Sequence, residues 1–224
     1  PKGIAPRIRE VAKDNDRETT ALIIAKELAA ELRVESGVEF ALEQAVRTSL
    51  SILTEGVLVA PTEGVVKIST LENSNNTTCA SIYYAVPIRA AGGTAQALSV
   101  LIADVVRREL GLDAYIPTPA EIERYKEEIP LYKRAANLQY VPSPEEIETI
   151  VKACPICITG ERTDKLEVSG NRDLPRVETN SLRGGACLVL AEGLCLKAAK
   201  VLKHVDNLSI SGWDFLRTYT EKKR

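Results

Sequence analysis

The chain has 224 residues, 45% apolar and 27% charged, with a formal net charge of −2 at pH 7. That length supports one large domain or two small ones with real cores. A near-neutral balance and only 4% aromatic residues argue against a broadly basic nucleic-acid binder and against a base-stacking platform.

No apolar run approaches the roughly 18 residues of a membrane span, and Pro1 to Pro6 lack an apolar signal core. The expected location is cytoplasmic, with no membrane partner. The absence of Met and the start at Pro1 predict a piece of a longer protein. Five cysteines, Cys79, Cys154, Cys157, Cys187 and Cys195, are an odd number that fits a reducing compartment. Cys154 and Cys157 have metal-ligand spacing, but a structural zinc needs a second pair or histidines. The only histidine, His204, is far along the chain. Buried thiols are the expected reading.

In chain order, residues 6 to 33 read as two helices broken at Asp14-Asn15-Asp16, with Asp16 placed to cap the second. Leu22, Ala25, Leu28, Ala29 and Leu32 give that helix one apolar stripe. A third helix follows from Val38 to about Thr54, closed by Gly56. Two strands come next, Gly64–Thr70 and Cys79–Val86, around a polar loop from Glu72 to Thr78 that reads as a flexible tip. A glycine-led helix spans Gly93 to Leu110. Pro117-Thr118-Pro119 opens a helix expected to stop before Pro130, with a short helix from Leu131 to Leu138. Ser143-Pro144-Glu145-Glu146 is a capping-box start. Strands are expected at Ile156–Thr159 and Lys165–Val168. A second glycine-led helix runs Gly185 to His204, and a last helix ends at Arg224 with fraying residues.

This order predicts an α+β, helix-rich fold with two small β-hairpin layers. Residues 1–36 form an N-terminal helical segment, 37–112 a first αββα unit, 113–142 a helical connector, and 143–224 a second αββα unit with a C-terminal helix. The repetition is either a diverged duplication or convergent local design.

The best functional candidates are the two glycine turns. In one, Arg89 precedes Gly92, Gly93 and Thr94; in the other, Arg183 precedes Gly184, Gly185 and Ala186. A helix N-terminus presents unpaired N–H groups and a positive dipole end, and a nearby arginine adds charge, which suits a phosphate. The competing reading is a tight strand-to-helix turn with close packing and no ligand. Neither turn is a Walker loop or a dinucleotide fingerprint. Glu121, Glu123, Glu127, Glu128, Glu145 and Glu146 read as solvated or capping groups. Arg107, Arg108, Lys197, Lys200 and Lys203 read as surface charges, and His204 as a partner of a helix C-terminus. No paired-aspartate cluster for a two-metal site is visible.

Three strings carry a family likeness: Glu43-Gln-Ala-Val-Arg-Thr-Ser-Leu-Ser-Ile-Leu-Thr-Glu-Gly-Val57, Pro87-Ile-Arg-Ala-Ala-Gly-Gly-Thr-Ala-Gln-Ala-Leu-Ser-Val100 and Val177-Glu-Thr-Asn-Ser-Leu-Arg-Gly-Gly-Ala186. With them the chain, from about Gly3 to Lys222, resembles the N-terminal region of the large subunit of the archaeal family D DNA polymerase. The resemblance implies a replicative polymerase whose large subunit polymerises and whose small subunit carries a proofreading exonuclease. The family's catalytic Asn-Ala-Asp-Phe-Asp-Gly-Asp motif is absent here, so this chain is expected to be inactive alone. No cofactor is expected in it, and magnesium is expected for the parent polymerase. A KH-like portion is implied, although neither loop has the Gly-x-x-Gly of a KH clamp. The expected partners are the small subunit, the rest of the large subunit and primer–template DNA. Arg89 and Arg183 would grip the phosphate backbone. The rival role is pure assembly or homodimerisation.

Overall fold

The computed structural model describes residues 3–221 except 56, 58, 59 and 164. The helix stop assigned to Gly56 and the frayed end at 222–224 lie outside the described residues. The N-terminal layer is α1 (Ile4–Val11), α2 (Arg17–Ser36) and α3 (Val38–Leu53). Asp16 caps α2 as its type and position require: its carboxylate accepts from the Thr19 N–H at 2.8 Å. Ala21, Ala25 and Ala29 of α2 and Ala41 and Ala45 of α3 are fully buried, and such small side chains let the two helices pack closely.

A three-stranded sheet follows: β1 (Val65–Glu72), β2 (Thr78–Tyr84) and β3 (Cys157–Gly160), in that spatial order. β1 and β2 are antiparallel; β2 and β3 are parallel, with Ser81 opposite Cys157 and Tyr84 opposite Gly160. The fold is therefore α+β and helix-rich, but its strands form one sheet rather than two hairpin layers. Among the described residues the expected second hairpin does not form. Its first strand becomes β3, and from its second only Glu167 makes an isolated bridge, to Ser181. All four residues of β3 are buried, so it needs neighbours on both sides. The edge of β2 supplies one, and Gly160 permits the approach, since a Cβ there would lie 2.5 Å from the Tyr84 carbonyl oxygen.

The Glu72–Thr78 loop is anchored at Asn73, while Ser74 to Asn76 at its tip are exposed. Asn73 is 2% exposed. Its amide donates to Thr77 Oγ1 and the Ala114 carbonyl, and its Oδ1 accepts from the Ile116 N–H at 2.9 Å.

α4 (Gly92–Glu109) runs through the middle of the molecule, with every residue from Ala95 to Asp104 buried. α5 (Pro119–Ala135) starts at a Thr118–Glu121 capping box and continues through Pro130. Pro130 removes one helical hydrogen bond, yet Ile129 and Tyr132 on either side are core residues, and their burial holds the axis. α6 (Pro144–Ala153) has the expected Ser143–Glu146 capping box. The second glycine-led helix is not continuous. α7 (Gly184–Leu188) passes into a π-helical stretch, Val189–Cys195, before α8 (Ala198–Asn207) and α9 (Arg217–Glu221). Gly193 lies in that stretch and touches α4, where a Cβ would sit 3.2 Å from Ala97 N. The main apolar core extends from Val11 to Tyr219 and draws on every segment between.

Candidate nucleic-acid interface

The two glycine turns look alike in sequence and have different surroundings. At the second, Arg183 is 1% exposed. Its guanidinium meets Glu128 at 2.6 Å through Nη2, with Nε also donating to the same carboxylate. Nη1 donates to Thr159 Oγ1, and the group lies 4.7 Å from the centroid of the Tyr125 ring. The Arg183 N–H donates to Glu128 Oε1 at 3.0 Å, and the Gly184 N–H donates to Thr163 Oγ1. The anion that this helix start attracts is thus the protein's own Glu128. Arg183, Gly184 and Gly185, expected to hold phosphate, thus stand in the interior, with the Arg183 guanidinium paired to Glu128. The glycines serve approach instead. A Cβ on Gly184 would lie 2.6 Å from the Tyr132 ring, and one on Gly185 2.6 Å from the Tyr84 carbonyl.

Arg124 completes this cluster. Its side chain is fully buried, and its Nε lies 3.4 Å from Glu128. Its Nη groups donate to the carbonyls of Asn171, Thr179 and Ser181. Two guanidiniums share one carboxylate, and carbonyl dipoles of the 171–181 loop take up the surplus positive charge. Glu127 anchors the same loop by accepting from the N–H groups of Ser169 and Gly170.

At the first turn the setting is open. The Arg89 side chain is 43% exposed; Nη2 donates to the Asn137 carbonyl at 2.5 Å and lies 3.6 Å from Glu192 Oε1. Lys133 donates to Asn137 and Leu138, which brings a second cation to the same connector. The Lys197 stem passes over Gly93, where an added Cβ would meet its Cε at 3.0 Å. Gly92 has φ 78°, a conformation that favours glycine. The 3₁₀ turn Val86–Ala91 leads straight into α4, and the Gly92 N–H already donates to the Arg89 carbonyl. Whatever this turn offers an anion comes mainly from Arg89 and Lys197, less from free N–H groups. Thr94 stands half-buried beside it.

The buried carboxylates escaped the sequence reading. Among the described residues they are Asp104, Glu121, Glu128 and Glu192. Asp104 accepts from Arg107, Arg108 and the Trp213 indole N–H. Glu121 pairs with Arg176, and Glu192 accepts from the Gln139 N–H. Glu121, Arg124, Glu128 and Ile129 recur at intervals of one face of α5 beside Tyr125 and Tyr132; that spacing was the available signal. Arg107 is likewise buried rather than a surface charge.

His204 is buried, and burial pushes its pKa below the ordinary value, with Lys203 and Lys200 acting the same way and Asp16 and Glu18 opposing. It stands in the last turn of α8, as expected, but with its side chain buried. All five cysteines are buried, and none is held in a disulfide. Burial pushes Cys79 and Cys154 up to about 12 and Cys157 up to about 11. No group of three or more His, Cys, Asp or Glu suited to a metal occurs among the described residues.

This is a scaffold of helices around a small sheet, with its internal charges neutralised from within. The family described as DNA polymerase II large subunit DP2, N-terminal, matches residues 1–222, and the chain belongs to it. Curated relatives agree. The chain is 51% identical over its whole length to the DNA polymerase II large subunit of Methanococcus maripaludis (strain S2), covering 20% of that protein. It is 53% identical to that of Methanoculleus marisnigri over 96% of this chain and 17% of the relative, and 50% identical to that of Thermoplasma volcanium over 98% and 20%. The chain therefore spans about a fifth of the length of these relatives.

Proposed function

We propose that this chain is the non-catalytic N-terminal scaffold of a replicative DNA polymerase large subunit, and that it meets primer–template DNA at one turn rather than two. Its membership in the DNA polymerase II large-subunit family supports the setting. The observation that carries the scaffold reading is the commitment of its buried carboxylates: Asp104, Glu121 and Glu128 are paired with the chain's own arginines. A two-metal phosphoryl-transfer site needs carboxylates free to hold cations. In this reading the polymerisation chemistry and its magnesium belong to the rest of the large subunit. A small exonuclease subunit works beside it, and the whole operates in the cytoplasm.

The DNA contact is assigned to Arg89, with Lys197 and the turn at Gly92, Gly93 and Thr94. Such contacts hold the backbone and carry no base information. DNA affinity measured against salt concentration tests it. Arg89→Ala should reduce the salt slope by about one unit, whereas a mutant with unchanged slope removes Arg89 from the interface. A second reading rests on a specific contact: Arg89 is already satisfied by Asn137 and Glu192. If so, the chain acts in assembly alone, and it would show no salt-dependent DNA binding even at low ionic strength.

A further inference from the structure

We propose that α8 extends the Arg89 contact into a phosphate track, with Lys197, Lys200 and Lys203 following one backbone of the DNA. The inference rests on the reading that this chain meets DNA at the Arg89 turn. In α8, Ala198, Val201, Leu202 and Val205 are buried, while Lys200 and Lys203 are exposed and Lys197 is half-buried. The three lysines recur at intervals of three, which places them along one ridge of the helix. Lys197 joins that ridge to the first glycine turn, because its stem lies over Gly93.

The electrostatics of the helix do not favour these positions. Lys197 is the N-cap of α8 and Lys200 lies in its first turn, where the positive end of the macrodipole disfavours cations. Like charges on successive turns also repel. Among the described residues none of the three lysines is in an ion pair. Asp206, the one acidic residue of α8, is held by Arg217 at 2.7 Å. Other surface cations find partners: Lys126 and Lys152 share Glu148, and Arg172 meets Glu167. In a chain of net charge −2, this unmatched row is a local positive field. A helix that breaks its own charge preferences without internal compensation points to an external anion.

The spacing fits a nucleic-acid backbone. From Lys197 to Lys203 the helix rises about 9 Å, a length in which one DNA strand presents about three phosphates at roughly 3.4 Å per charge. Lysines meet phosphate as mobile point charges, so the track is independent of sequence. It has two ends. Arg89 and Lys133 stand at one, around Asn137. At the other, Asp16 and Glu18 at the start of α2 act on His204, the neighbour of Lys203. Their negative charge turns the backbone away there.

The test uses the two-subunit polymerase and a primer–template duplex, with affinity measured from about 50 to about 200 mM salt. Lys200→Gln combined with Lys203→Gln removes two exposed charges and leaves the buried face of α8 intact. The slope of log affinity against log salt should shrink by about two units, so over this range the wild type loses about tenfold more affinity than the variant. Lys26→Gln combined with Lys67→Gln removes two exposed lysines elsewhere and should leave the slope unchanged. An unchanged slope for the α8 pair, or an equal fall for the control pair, would overturn the track. Arg89→Ala separates the track from the reading beneath it. A fall of about one unit for Arg89→Ala with none for the α8 pair keeps the Arg89 contact and overturns the track, whereas no change in either removes DNA from this face altogether. Loss of small-subunit binding by the α8 pair at unchanged slope would assign the lysines to an acidic protein surface and equally overturn the proposal.

Discussion

Glu128 decides what the Arg183 turn is. A helix start that attracts an anion does not say whose anion it will be, and here a carboxylate from α5 arrives first. His204 makes a comparable point about charge. Its folded pKa lies below the ordinary value because it is buried, so the neutral form is the stable one. Stability is then complete above the unfolded value of about 6.5 and declines as pH falls through the depressed folded value. Urea midpoints measured from pH 7.5 to pH 5 should fall, and His204→Gln should flatten that fall. Loss from Asp16, whose pKa is lowered by its bond to Thr19, begins only below about pH 4, in a separate window. The thiols give a further expectation. With all five buried and Cys79, Cys154 and Cys157 raised to about 11 or 12, iodoacetamide at pH 8 should leave them unmodified in the native chain and alkylate all five in guanidinium.

At the scale of elements, the helices were legible where local chemistry fixes them. Asp16, Thr118 and Ser143 mark helix starts by bonds that their own side chains make. Pro130 misled because its local preference to end a helix is outweighed by the core residues around it. The second hairpin misled for a related reason: pattern marks a strand but not its partner, and β3 finds β2 across more than seventy residues. Buried Glu121 and Glu128 looked like solvated charges because the arginines that neutralise them, Arg176 and Arg183, lie 55 residues away in the chain. The C-terminal elements are held by Trp213, fully buried, whose indole N–H donates to Asp104 at 2.8 Å. Trp213→Ala should cost about 3–5 kcal/mol. Trp213→Phe keeps the apolar contact and should cost about 1–3 kcal/mol. Urea denaturation followed by far-ultraviolet circular dichroism separates the two.

For the whole molecule, the family was legible because three long strings match it, whereas which surface meets which partner was not. Partners are chosen by exposure, and two turns of similar sequence differ in exposure because of what packs over them. One is an internal strut joining α5, β3 and the 171–181 loop. The other stands at the surface, with Arg89, Lys133 and Lys197 around it. The two turns thus differ in what they hold: one the interior, the other the surface.

Guanidinium unfolding of Arg183→Ala and Arg89→Ala in the same chain measures that difference most directly. Removing Arg183 leaves Glu128 buried with only Arg124 beside it and should cost about 3–5 kcal/mol. Removing the half-exposed Arg89 should cost about 1 kcal/mol or less. Equal, small losses for both variants would contradict the assignment of Arg183 to the interior.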